Sequence, residues 1–186
     1  MRDAILETTA ALVEKRGLRA VTMSEIAERS GIGRATLYKY FASVEAILVA
    51  WHERQIGGHL EQLGELAHSA GSPDERLRAV LAAYAGMNHE QLGTELSVLL
   101  HQGKHVARAE EHLLQLLRTL LDEGATKGIF RSDVPAVELG AYCLHALAAA
   151  ASMRSSKAVS RLIDVILDGL SEAGSHRHRR RPTHAR

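Results

Sequence analysis

The fold is decided by residues 22–41, TMSEIAERSGIGRATLYKYF, which read as two short helices joined by a glycine turn. Thr22 and Glu25 have the spacing of a capping box, so a helix is expected to begin there. Gly31 is expected to end it, because glycine adopts a positive φ without a Cβ clash. The stretch therefore predicts a helix-turn-helix, the arrangement that places a second helix in the major groove of DNA.

The side chains of the second helix divide into a buried seam and an outward surface. Leu37 and Phe41 lie four residues apart and are expected to pack with Ile26 and Ile32. The outward surface is aromatic, hydroxylated and basic, which suits contacts to phosphate oxygens and to the guanine edge. The candidate DNA-binding residues are Thr22, Ser24, Arg34, Ala35, Thr36, Tyr38, Lys39 and Tyr40.

With the segment ASVEAIL that follows it, this stretch resembles the DNA-binding domain of the TetR/AcrR family of bacterial transcriptional regulators. The resemblance implies that Arg34 to Tyr40 form the recognition helix. It also implies phosphate contacts for one set of residues, namely Thr22, Thr36, Tyr38 and Tyr40. We assign base reading to Arg34, Ala35 and Lys39. One position departs from the family pattern: Val44 stands where a phosphate-binding lysine is common.

Composition narrows the class of protein. The chain has 186 residues, 46% of them hydrophobic, one cysteine and a formal net charge of +1. It has no signal peptide and no apolar run long enough to span a bilayer, so we expect a soluble, cytoplasmic protein without disulfides. It also lacks a phosphate-binding glycine loop and a nucleophile elbow, so we expect neither an enzyme nor a cofactor.

The rest of the chain shows helical periodicity without strand alternation, which predicts an all-α protein. We expect a three-helix DNA-binding domain over residues 1–48, a helical effector-binding and dimerisation domain over 49–172, and a basic, disordered tail over 173–186. Gly57-Gly58 inside the long fourth helix is interpreted as a bend or close contact rather than a domain boundary. A further short helix is expected over about 91–101.

The last two helices each carry an apolar face, which predicts a homodimer through a four-helix bundle and hence a palindromic operator. The alternative is that these helices only complete the monomer core. The predicted function is a repressor that releases its operator when a small molecule of unknown identity binds the second domain. The candidate ligand-binding residues are Trp51, Gln55, Tyr84, Met87, Asn88, Gln102, Leu117 and His145.

Several residues permit other interpretations. His101 and His105 have the spacing of a metal-binding pair, with His89, His112, Glu110 or Glu111 as further ligands. Cys143 could be a thiol sensor, although a small buried residue is the plainer interpretation. His145 is interpreted as a core or pocket histidine. The alternatives therefore remain a metal- or redox-responsive regulator, an activator, or a regulator without an effector. The arginine-rich tail is either a DNA-contacting arm or an unused end.

Overall fold

A computed structural model describes residues 1–87, 100, 103–153 and 155–172. Within them the chain forms eight α-helices, joined in places by 3₁₀ turns. They are α1 (Arg2–Arg16), α2 (Met23–Arg29), α3 (Arg34–Tyr40), α4 (Val44–His68), α5 (Pro73–Met87), α6 (Lys104–Thr126), α7 (Ala136–Ala148) and α8 (Ser156–Leu170). The described residues contain no strand, only a single bridge between Phe130 and Ser171. The all-helical prediction is therefore confirmed. No helix among them combines the length and apolarity that crossing a membrane requires.

The chain divides into two compact units. The first contains Met1–Gly58 and Gln91–Ala109, and the second contains His59–Glu90 and the chain from Glu110 onward. We call them the head and the body. The predicted boundary after residue 48 differs from this division because α4 continues through it and Leu100, although distant in sequence, is fully buried in the head core.

The head core is apolar, and both helices of the predicted helix-turn-helix, α2 and α3, contribute residues to it. α1 and α3 both pack against α2. Its apolar residues with no exposed surface are Ile5, Ile26, Leu37, Ile47, Leu48 and Leu100. Gly17, with φ of 80°, ends α1. The seam of Ile26, Leu37 and Phe41 is confirmed, and the partly buried Ile32 packs against it.

The body core is formed by the apolar faces of its helices. α5 packs on α7 and α8, which also pack on each other. Leu77, Val80, Leu117, Leu147 and Ile166 have no exposed surface. Arg76 fixes the start of α5 through two contacts: one nitrogen donates to the carbonyl oxygen of Ala67 at 3.0 Å and another lies 2.6 Å from the Glu123 carboxylate. Burial of these faces is the main source of folding free energy.

Two sequence interpretations need correction. Gly57 and Gly58 lie inside the unbroken α4, and a Cβ at either would meet no atom within 4 Å, so there is no close contact. The two units instead meet in sequence just after Gly58, because the packing partners of the helix change there. His145 is exposed in the single chain, so its interpretation as a core histidine is wrong.

The predicted short helix over 91–101 lies outside the described residues except for Leu100, which is helical. Asn88, His89, His101, Gln102 and the basic tail also lie outside them.

Candidate DNA interface and ligand site

The turn between α2 and α3 has the geometry that the sequence predicted. The Glu25 N–H donates to Oγ1 of Thr22 at 3.3 Å, which caps α2. Gly31 takes a φ of 66°, and the Ile32 N–H donates back to the Ala27 carbonyl at 3.0 Å. The turn therefore satisfies the end of α2 and redirects the chain into α3 within four residues.

The second half of the predicted capping box is wrong. The Glu25 carboxylate does not reach back to its cap but forms an ion pair with Arg16 at the end of α1, and it lies 3.8 Å from Nε of Arg29. Glu25 thus connects α1 to α2. The stronger partner explains the difference, because a guanidinium offers a charged donor where the cap offers only one backbone N–H.

The helix α3 buries little of its surface in the head core. Leu37, with no exposed surface, is its one buried residue, and Tyr38 and Tyr40 are 49% and 52% exposed. Seven of the eight predicted DNA-binding residues are exposed and Thr36 is half-buried. About half of each phenol side chain is open to solvent, so both are available to a partner.

Ion pairs connect helices α1 and α4 of the head. Arg54 on α4 donates to the Asp3 carboxylate at 3.0 Å and also pairs with Glu7, so one guanidinium holds two positions of α1. Val44, at the start of α4, is 8% exposed and belongs to the head core. The position where a phosphate-binding lysine is common is therefore used here for packing.

The predicted ligand-binding residues are dispersed. Trp51 and Gln55 belong to the head, whereas Tyr84, Met87, Leu117 and His145 belong to the body. Asn88 and Gln102 lie outside the described residues. Tyr84 and Met87 pack against the body core, and Leu117 is fully buried within it. The Trp51 indole N–H is buried without a hydrogen-bond partner among the described residues. This set stays a prediction.

The body contains a groove that sequence reasoning missed. It has a volume of about 690 Å³ and is lined by Ala82, Ala85, Gly86, Met153, Ser155, Ser156, Val159, Ser160 and Ile163. The walls are mostly small and apolar, and three serines supply hydroxyls. Of the predicted ligand residues that the structure describes, none lines it, although Tyr84 and Met87 lie on the same helix. Because such a groove depends on which helices pack together, no local sequence motif predicts it.

The residues proposed for sensing metal or redox state can be placed in part. Cys143 has no exposed surface, and burial raises the pKa of its thiol to about 12, so it stays protonated at neutral pH. His105 contacts His52, which the sequence did not suggest, while its predicted partner His101 lies outside the described residues. In the parts of the chain that the structure describes, no three His, Cys, Asp or Glu side chains group as metal ligands would.

A glycine-turned helix pair presenting an exposed helix of phenols, hydroxyls and basic groups defines a helix-turn-helix DNA-binding protein. Residues 5–51 match the family model described as bacterial regulatory proteins, tetR family. Residues 72–172 match that of the transcriptional regulator SbtR-like C-terminal domain. Because the matched segments cover most of the chain, the protein belongs to the TetR family of bacterial transcriptional regulators.

Individual relatives agree with this assignment. The chain is 27% identical over 190 residues to the HTH-type transcriptional repressor KstR2 of Rhodococcus jostii, covering 91% of each. A TetR/AcrR regulator from Thermobifida fusca shares the fold with a TM-score of 0.74 at 23% identity, over 90% of this chain and 97% of that one. FadR of Bacillus subtilis, solved with stearoyl-CoA, gives a TM-score of 0.65 at 16% identity, over 92% and 98%.

Proposed function

We propose that the protein is a homodimeric repressor that binds a palindromic operator through α3 and releases it when a small molecule binds the body. The observation that carries the DNA-binding half is α3 itself, which leaves every residue but Leu37 at least partly open to a partner. Arg34, Ala35 and Lys39 would read bases, Thr22, Thr36, Tyr38 and Tyr40 would hold phosphates, and Ser24 would also lie in the interface. We also propose that the protein acts in the cytoplasm and has no catalytic activity.

The effector we propose is an organic molecule with an extended apolar part. The groove between α5 and the start of α8 supports this, since small apolar side chains form most of its walls. FadR of Bacillus subtilis, which shares the fold, was solved with stearoyl-CoA, so long-chain acyl thioesters are the first compounds to test. An effector that prefers the DNA-free state of the body by about 3 kcal/mol would weaken operator binding roughly a hundredfold.

Two placements of the effector compete and can be separated by substitution. Gly86→Leu would fill the groove, because a Cβ at Gly86 meets no atom within 4 Å. Tyr84→Ala with Met87→Ala would alter the originally predicted site. If the groove binds the effector, Gly86→Leu abolishes operator release and the double variant keeps it. The reverse result would move the site to the predicted residues.

Dimerisation through the last two helices is supported by their exposed apolar side chains. Val137 and Tyr142 on α7 are 55% and 44% exposed, and Val165 on α8 is 62% exposed. His145 lies three residues after Tyr142, on the exposed surface of α7. We expect Val165→Asp to yield monomers in sedimentation and to weaken operator binding. Val165→Thr, which keeps the shape without a charge, should stay dimeric. A monomeric wild-type chain would refute the arrangement.

The experiment that tests the function is fluorescence anisotropy on the DNA upstream of the protein's own gene. A scrambled duplex serves as the control, and two salt concentrations are compared. Sequence-dependent binding with one dimer per operator, or a multiple of that, is the expected result. Equal, steeply salt-dependent binding to both duplexes would show phosphate contacts alone. Selection of operators from random DNA would then decide whether any sequence is preferred, and no enrichment would refute the proposal.

A further inference from the structure

Two histidines in the head form a contact that DNA binding does not use. His52 lies on α4, and His105 is the second residue of α6. Nδ1 of His52 lies 2.9 Å from Nε2 of His105, and the ring planes are nearly perpendicular, at 87°. Both side chains are half-buried, so their nitrogens meet at the edge of the head core, where small ions can reach them.

The contact requires one imidazole to donate a proton and the other to accept it through a lone pair. If a cation replaces that proton, both nitrogens direct lone pairs toward it. Two metal–nitrogen bonds of about 2.0–2.1 Å at a tetrahedral angle place the nitrogens about 3.3 Å apart, only about 0.4 Å more than now. Small side-chain rotations would supply this opening.

The residue at position 103 favours the arrangement. A Cβ on Gly103 would collide with the His105 ring, so only a residue without a side chain lets the ring lie where it does. The glycine therefore leaves room for the imidazole beside the backbone.

We propose that His52 and His105 bind one divalent transition-metal ion of the Ni²⁺, Cu²⁺ and Zn²⁺ group. These ions favour imidazole, whereas Mg²⁺ and Ca²⁺ prefer oxygen ligands. Water fills the remaining positions, since the described residues bring no third ligand into a group with these two. Such an open site is weaker than a four-ligand structural site, and protons compete with the metal for the imidazole nitrogens.

The test measures metal binding without DNA, so its failure is independent of the proposed repressor function. The full-length, untagged chain is used, carrying alanine at three tail histidines that would also bind metal, His176, His178 and His184. With Ni²⁺ at about ten times its Kd, the melting temperature should rise by about 3–4 °C. Mg²⁺ at the same concentration should give no rise.

The variants locate the ion. His52→Ala and His105→Ala should each abolish the rise. His59→Ala and His112→Ala are matched controls, seven residues further along the same helices, and should keep it. An equal rise in His52→Ala or His105→Ala, or no rise in the parent chain with Ni²⁺, Cu²⁺ or Zn²⁺, would overturn the proposal.

A second kind of variant tests the site in case the alanine substitutions disturb the fold. His105→Cys places a thiolate at the same position, and a thiolate is also a good ligand for these ions. Adding Co²⁺ should then produce a sulfur-to-metal charge-transfer absorption in the near ultraviolet. His105→Ala should not show it. Absence of the band in folded His105→Cys would overturn the site.

Discussion

The helix α3 of the head and the helix α5 of the body use their surfaces in different ways. α3 buries one residue of seven, and the described contacts place no ion pair on Arg34. α5 buries Leu77, Val80, Leu81 and Ala85, and its two arginines pair with body carboxylates. α3 is therefore stabilised by its turn and its neighbours while its side chains serve a partner, whereas the side chains of α5 serve the fold. This difference explains why the function of the head can be inferred from sequence and that of the body cannot.

Substituting one arginine in each region tests the comparison most severely. Arg34→Ala should lower operator affinity by about a thousandfold, since a base-reading contact is worth about 1–3 kcal/mol and a dimer carries two. Its melting temperature should stay unchanged because the side chain is exposed. Arg118→Ala, an exposed arginine of the body, is the control and should bind normally. Fluorescence anisotropy and thermal melting measure both quantities. Normal binding by Arg34→Ala would remove this residue from the interface.

The body arginine should show the opposite response. Arg76→Ala should cost about 2 kcal/mol of unfolding free energy, because the Ala67 carbonyl loses its donor and the Glu123 carboxylate keeps only Lys127 of its two cationic partners. Operator affinity of the folded fraction should not change. Arg78→Ala, which breaks an exposed pair with Asp164, should cost under about 1 kcal/mol by urea titration. Equal losses in the two variants would contradict the structural role of Arg76.

Replacing glycine by alanine should change the free energy of unfolding in opposite directions at Gly31 and Gly57. Gly31→Ala forces a Cβ into a φ of 66° and should destabilise the protein by about 1 kcal/mol. Gly57→Ala lies inside α4 with open space around it and should stabilise by about 0.5–1 kcal/mol. Urea titration compares the two. Destabilisation by Gly57→Ala would show that this glycine does more than interrupt helix propensity.

Acid should weaken the body through Glu123. The guanidinium of Arg76 and the ammonium of Lys127 lower the pKa of this carboxyl from 4.5 to about 2. A carboxyl with a lowered folded pKa contributes stability above about pH 4.5, and the contribution is lost as the pH falls toward 2. Glu123→Gln should therefore lose less stability than wild type over that window in pH-dependent melting. Parallel curves for the two proteins would show that the pair does not matter.

The smallest expected effect concerns Cys143. Its buried thiol, with a pKa of about 12, has almost no thiolate at neutral pH. Brief treatment with hydrogen peroxide should leave operator binding unchanged, and Cys143→Ala should bind equally well. Release of DNA by peroxide from wild type but not from Cys143→Ala would restore the redox-sensor interpretation.

The predictable parts of this protein depended on local chemistry. The cap at Thr22, the turn at Gly31 and the apolar seam through Leu37 each follow from residues a few positions apart. Contacts between distant residues could not be predicted. The Glu25 carboxylate pairs with Arg16, the groove lies where α5 meets α8, and His105 contacts His52, 53 residues away in the sequence. The periodicity of one helix gives its buried face but not the helix that covers it.

The burial of Leu100 has a consequence for protein engineering. This leucine has no exposed surface and belongs to the head core, although more than 40 residues separate it from Gly58. A chimera that joins residues 1–58 to a foreign sensor module would leave a hole where Leu100 packs, a defect that typically costs about 2–5 kcal/mol. Residues 1–58 therefore do not contain the whole core of the head. A functional chimera must supply an apolar side chain at the position where Leu100 packs.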